Sequence, residues 1–385
     1  MLMPRCFTSL RVASTLLLVT GLLRADPTED ALKVGLEALD KGERTAAATT
    51  FVNAFNERAA ARTEKDGTCM LLIASAGRLF ADGGKADVAA TCFERLYAIS
   101  LALNGPSHPD TITIGVHLAH YLGRAGMNTE MAKRLCVEGM VASQLNPEIP
   151  GHVHLRALYT RADILLAEKD RIAAALAFRD FLKHAQAMRN PPQTVIANVY
   201  FNLGTIDSFF GRAKDAQAQF KNAFASLKKG RGDMGIDALS LRLAIADQLS
   251  AAEAVEVLKE IVNDVGSVAG VKSNTSLQQV LCSSEFKLAI KESEIGQTDG
   301  LVARLRSAIA HGIAGYGEDH DQLLQLYLQL AKLHLSKRQN KEGVECYRHV
   351  LAIRKKALGP DHESVAVTQK ILDDLIEDLK KSGEL

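Results

Sequence analysis

The sequence predicts an all-α chain, a solenoid of about eight antiparallel helix pairs closed by a C-terminal capping helix. Three observations predict it. Ala and Leu dominate, Trp is missing and aromatics make up only 5% of the 385 residues, a mixture that favours helices over sheets. Apolar residues reach 47% against 24% charged, so most of the chain has the material for a core. A frame of small and large residues then recurs every ~42 residues, the mark of a repeat architecture.

Taken in order, the chain begins with the three parts of a secretory signal peptide. Arg5 and Arg11 give a cationic start, Val12 to Leu23 form an apolar run containing Leu16-Leu17-Leu18-Val19, and the small Ala25 precedes Asp26. Cleavage after Ala25 is expected, dividing the chain into a signal peptide at 1–25 and a single solenoid at 26–385. The run is shorter than the ~20 residues that span a bilayer, and Cys6 stands before it, where a lipoprotein cysteine would not lie. An exported protein, periplasmic or secreted, with no stable membrane span after cleavage is therefore expected. Basic and acidic residues nearly cancel, 46 against 45. Losing Arg5, Arg11 and Arg24, with no acid among the first 25 residues, moves the formal charge from +1 to −2. That balance lacks the basic stripe of a nucleic-acid partner.

The frame is clearest from Gly204. Leu203 precedes it, Gly211 follows at seven residues, Ala216 at twelve, Phe220 at sixteen and Ala223 at nineteen. Gly35 leads in the same way to Gly42, Ala47, Phe51 and Ala54, and Gly77 to Gly84, Ala89, Phe93 and Leu96. Ala119 leads to Gly126, Met131 and Leu135, with Glu138 in the last position. Ala162 leads to Ala174, Phe178 and Phe181, with Lys169 at the turn. Ala289 leads to Gly296, Leu301, Leu305 and Ala308; Ala331 leads to Gly343, Tyr347 and Val350, with Arg338 at the turn. Ala244 needs a two-residue deletion before Ala254, Leu258 and Ile261 fall into place. The small anchor lets two helices cross closely. The glycine seven residues on suits a tight turn with positive φ. The small and large residues at twelve and sixteen share one face of the second helix. One such pair cannot bury its flank alone, and a stack of them can. A last amphipathic helix near Ser364 to Lys380, acidic on one side, caps the stack. The long loop from Gly266 to Ser276 is the candidate hinge.

Tyr200, Leu203, Gly204, Gly211, Ala216, Phe220 and Ala223 together resemble the tetratricopeptide repeat. The period resembles the kinesin light chain subtype, as do the linkers Gly105-Pro106-Ser107-His108-Pro109-Asp110, Gly317-Glu318-Asp319-His320-Asp321 and Gly359-Pro360-Asp361-His362-Glu363. The resemblance implies a right-handed α-solenoid whose first helices line a concave groove holding a protein or peptide ligand. The lining positions two and three before each anchor, one after it and six before it then give Arg156, Tyr159, Thr160 and Asp163 in the fourth copy and Asn198, Phe201, Asn202 and Thr205 in the fifth. Arg242 lines the sixth, and His117 and His120 the third. An Asn amide can both donate to and accept from a peptide backbone, and Arg242 can hold a carboxylate through two parallel bonds. A carboxylate clamp known in the family finds two of five positions matched, Asn202 and Arg242, with Tyr159, Asp163 and Ala238 departing from it.

Other candidates read as structure. His117 and His120 lack a third ligand nearby, so no metal is expected. His108, His320 and His362 share one linker position, and His152 and His154, adjacent to a Pro-Gly turn, read as linker residues. Cys69, Cys92, Cys136, Cys282 and Cys346 are odd in number and keep the frame, as packing cysteines would. Arg231-Gly232-Asp233 is short enough to arise by chance, and Asn274-Thr275-Ser276 is a glycosylation sequon that matters only in a eukaryotic host. Nucleotide-loop, zincin and nucleophile-elbow motifs are missing, so neither an enzyme nor a cofactor is expected. The expected role is a scaffold or adaptor, with a holdase for exported proteins as the alternative and an enzyme or regulatory subunit behind both.

Overall fold

A computed structural model describes residues 27–40, 43–60, 67–230, 235–381 and 383. The signal segment 1–25 and the Arg231-Gly232-Asp233 turn lie outside the described residues. The described residues form seventeen α-helices and one 3-10 turn, with no strand. They fall into two compact units, one ending at Pro192 and one beginning at Gln193.

The first unit holds four antiparallel pairs: α1 (Pro27–Asp40) with α2 (Arg44–Ala60), α3 (Gly67–Asp82) with α4 (Ala86–Asn104), α5 (Pro109–Ala125) with α6 (Thr129–Leu145), and α7 (Gly151–Ala167) with α8 (Arg171–Gln186). The second unit holds α9 (Gln193–Phe209) with α10 (Ala213–Lys229), α11 (Ile236–Ala246) with α12 (Ala251–Gly266), α13 (Thr275–Glu294) with α14 (Leu301–Tyr316), and α15 (Leu323–Ser336) with α16 (Asn340–Leu358). The cap is α17 (Glu363–Lys381), which buries Val365, Thr368, Leu372 and Leu379. This is the α-solenoid of paired helices read from the sequence.

The frame has a direct physical cause. A Cβ added to Gly35 would stand 2.2 Å from the ring of Phe51, one at Gly77 2.8 Å from Phe93, and one at Gly204 2.6 Å from Phe220. Each anchor is small because the large residue sixteen positions later fills the space above it. The turn seven residues after the anchor is left-handed in pair after pair: φ is 81° at Gly84, 66° at Gly126, 72° at Gly211 and 77° at Gly296. Lys169 and Arg338 hold φ of 67° and 58° at the same frame position. The linker histidines also act alike. Nδ1 of His108, His320 and His362 accepts the backbone N–H two residues on, at 3.2, 3.2 and 3.1 Å, and so closes the start of the next helix.

Two pairs depart from the frame. In the third, Glu138 is exposed and Gly139 takes the buried place, where an added Cβ would meet Val116 at 2.3 Å. In the sixth, α11 is only 11 residues long, and Ile245 and Ala246 are buried while Ala244 is half-buried. His152 and His154 belong to the first turn of α7 and not to the preceding linker, because the helix starts directly after Pro150. The long loop carries the 3-10 turn Val271–Ser273, held where Gln278 Nε2 donates to the Val271 carbonyl at 2.9 Å.

Candidate functional site

The first helices of the first unit carry one dense group of ionisable and aromatic side chains. Helices α5 and α7 approach closely at Gly123, where an added Cβ would lie 2.8 Å from Ile164 and 4.0 Å from Thr160. Phe93 of α4 forms the floor, its ring 4.7 Å from Tyr121 and 5.8 Å from His117, which stacks on it. His120 lies 5.2 Å from the ring of Tyr121. Tyr159 is buried edge-on against Phe178 and Phe181, at 6.0 and 5.9 Å.

Burial dominates the titration of this group. It pushes His117 and His120 well below the usual imidazole value of 6.5, with Arg156 adding to the effect on both, so the rings stay neutral. Burial lowers Arg156 as well, helped by Arg78. It raises Tyr121, and raises Tyr159 well above 10.0. Asp163 is pushed up to about 7 by burial, against the opposing hydrogen bond from Tyr159 and the charge of Arg124. Three atoms of this face are buried without a hydrogen-bond partner: His117 Nδ1, Thr160 Oγ1 and Asp163 Oδ1.

In the second unit the lining of α9 is quieter. Asn202 Nδ2 donates to Asn198 Oδ1 at 3.1 Å, Thr205 Oγ1 donates to the Phe201 carbonyl at 3.0 Å, and Phe201 leans on Phe220 with ring centres 5.7 Å apart. Thr205 is exposed and Asn198 is 7% exposed. Arg242 is held inside its own pair, 2.8 Å from Asp264 and 3.8 Å from Glu260 of α12.

The structure thus brings Arg156, Tyr159 and Asp163 together with His117, His120 and Thr160 in the first unit, and Asn198, Phe201, Asn202 and Thr205 together in the second. Sequence reasoning did not single out Arg78, Tyr121 and Arg124. Arg78 follows the anchor Gly77 by one residue, a lining position, so the frame contained the signal. Arg124 is one turn beyond His120. Among the described residues no group of three or more His, Cys, Asp or Glu side chains is placed to hold a metal. Cys69, Cys92, Cys136, Cys282 and Cys346 are buried free thiols. Burial raises Cys136 to about 12 and each of Cys92, Cys282 and Cys346 to about 11.

Residues 323–364 match the family model of the tetratricopeptide repeat, which covers α15, α16 and the start of the cap. Those residues are thus a tetratricopeptide repeat, and the same frame of small and large residues runs through the other pairs. Among solved structures it is similar to the apo quorum sensor NprR from B. thuringiensis, at 12% identity over 89% of this chain and 92% of that one, with a TM-score of 0.51. It is also similar to kinesin light chain TPR-like repeats of Podosopora anserina, at 15% identity, 54% and 100% coverage and a TM-score of 0.41. A Rap protein complexed with Competence and Sporulation Factor matches at 15% identity, 90% and 98% coverage and a TM-score of 0.45. No curated protein sequence matches the chain.

Proposed function

We propose that this chain is an exported adaptor that binds peptide segments of other proteins along the faces lined by its first helices. The observation that carries the reading is the set of orphaned polar atoms on neighbouring helices α5 and α7, His117 Nδ1, Thr160 Oγ1 and Asp163 Oδ1. A buried polar atom left unpaired costs about 1–3 kcal/mol, and an extended peptide backbone supplies donors and acceptors in alternation. In the second unit the Asn198–Asn202 pair offers amide groups of both kinds beside Phe201, as a peptide lining requires. The four buried thiols with raised pKa values stay protonated at neutral pH and are poor nucleophiles. Export rests on the three-part N-terminus and places the partners among exported or envelope proteins.

Selection of a random-peptide display library on the full chain tests this. The expected result is a set of binders whose affinity falls by about tenfold or more in Thr160→Val or Asn202→Ala, with melting temperature and helicity retained. A selection that yields no binders, or binders indifferent to both substitutions, would overturn it.

A further inference from the structure

We infer that His154 and His184 of the first unit form a two-imidazole site for a divalent copper ion. The site does not depend on peptide binding. His154 stands in the first turn of α7 and His184 in the last turn of α8, so the antiparallel pair brings them to the same end. Their ring centres lie 4.7 Å apart with the planes tilted by 51°. Two imidazoles bonded to one ion at about 2.0–2.1 Å hold their ring centres about 4.5–5.2 Å apart, for bond angles of about 90–110° at the metal.

The hydrogen bonds decide which nitrogens are free. Ser143 of α6 has one hydroxyl proton, and its Oγ stands 2.7 Å from the Gly139 carbonyl, which can only accept. Nδ1–H of His154 is then the donor to Ser143 Oγ, at 2.9 Å. Nδ1 of His184 lies 3.0 Å from the Asp180 carbonyl and likewise carries the proton. Both rings therefore keep Nε2 as a lone pair. Metal-binding imidazoles are held in this way, the second nitrogen donating to an oxygen that fixes tautomer and orientation. Nε2 of His154 is buried with no hydrogen-bond partner, in a side chain only 8% exposed. Because Ser143 holds Nδ1 from α6, Nε2 turns away from α6, to the side where His184 of α8 lies. His184 is half-buried and leaves that side open. Burial, helped by His184, keeps His154 below 6.5 against a hydrogen bond from the Met140 backbone, so the ring is neutral at pH 7, the form that binds metal. Among the described residues no third His, Cys, Asp or Glu joins the pair, so water completes the coordination. Neutral imidazoles suit late first-row ions, and affinity for such ligands peaks at Cu2+, above Ni2+ and Zn2+.

Calorimetric titration of the full chain with copper(II) chloride at neutral pH tests the site, together with the electron paramagnetic resonance spectrum of the complex. The tightest-bound copper should be a single ion per chain whose spectrum carries the nitrogen couplings of two imidazoles. In His184→Gln its affinity should fall by about tenfold or more, with helicity and melting temperature retained, because the position is half-buried and its one hydrogen bond is to its own helix. Zinc chloride should bind the parent chain more weakly than copper at the same site. Three results would overturn the site: no copper bound by the parent chain, a spectrum with one imidazole or none, or full affinity kept in His184→Gln. The first two are read on the parent chain and hold whatever the variant does to the fold.

Discussion

At the scale of single residues, the chain carries strain at two places that its own repeats show how to relieve. Lys169 and Arg338 occupy the left-handed turn that glycine fills in the pairs of Gly84, Gly126, Gly211 and Gly296. A side chain there costs about 1–2 kcal/mol relative to the right-handed form. Lys169→Gly and Arg338→Gly should therefore raise stability, by up to ~1 kcal/mol each after the entropy glycine costs, as read by chemical denaturation. The buried titratable groups give a pH signature of two opposite signs. His117 and His120 have folded values well below 6.5, so the unfolded chain takes up protons that the folded chain refuses. Stability falls as pH drops below 6.5, and His117→Gln with His120→Gln should flatten that fall. Asp163 behaves in reverse. Its carboxyl titrates at about 7 when folded against 3.8 otherwise, so the folded chain holds the extra proton. That contribution is lost as pH rises from 3.8 through about 7, and thermal melts of Asp163→Asn should show a gain over the parent that grows across that window. None of these shifts was visible in the sequence, because they come from burial and from arginines on other helices.

At the scale of elements, the helix pair is the unit, and its two halves are fitted to one another. Phe93 is 1% exposed over Gly77 and Phe220 3% exposed over Gly204. Gly77→Ala or Gly204→Ala should force these rings aside at a cost of about 1–3 kcal/mol, and Phe178→Ala should cost about 3–5 kcal/mol through the cavity left against Tyr159. Urea denaturation reads both. Nearly all of this was legible in the sequence, since a repeated small-then-large spacing depends only on residues within one pair. The exceptions are instructive. Copy three keeps Glu138 outside by burying Gly139 one position later, and copy six shortens its first helix. Arg242 departs as well: the frame marks it as lining, while Asp264 and Glu260 of the adjacent helix hold it within the pair. A local frame reports which residues share a helix face and is silent about the partners that the neighbouring helix supplies.

At the scale of the whole molecule, a stack of pairs leaves one face of first helices along each unit, and the two units furnish that face differently. The first presents neutral histidines and orphaned polar atoms; the second presents paired asparagines, an aromatic and an exposed threonine. A repeat fold does not fix its ligand, so function has to be read from these linings. The sequence supplied their positions. It did not supply the burial that keeps His117 and His120 neutral, which depends on the helices packed around them. The most direct measurement is site-specific photocrosslinking of a library-selected peptide. A photoreactive residue would replace either Thr205, on the lining of α9, or Ala218, exposed on α10 of the same pair. Crosslinking at position 205 with none at 218 is the predicted result. Crosslinking at 218 with none at 205 would place the partner on the outer helices and contradict peptide binding along the first-helix face.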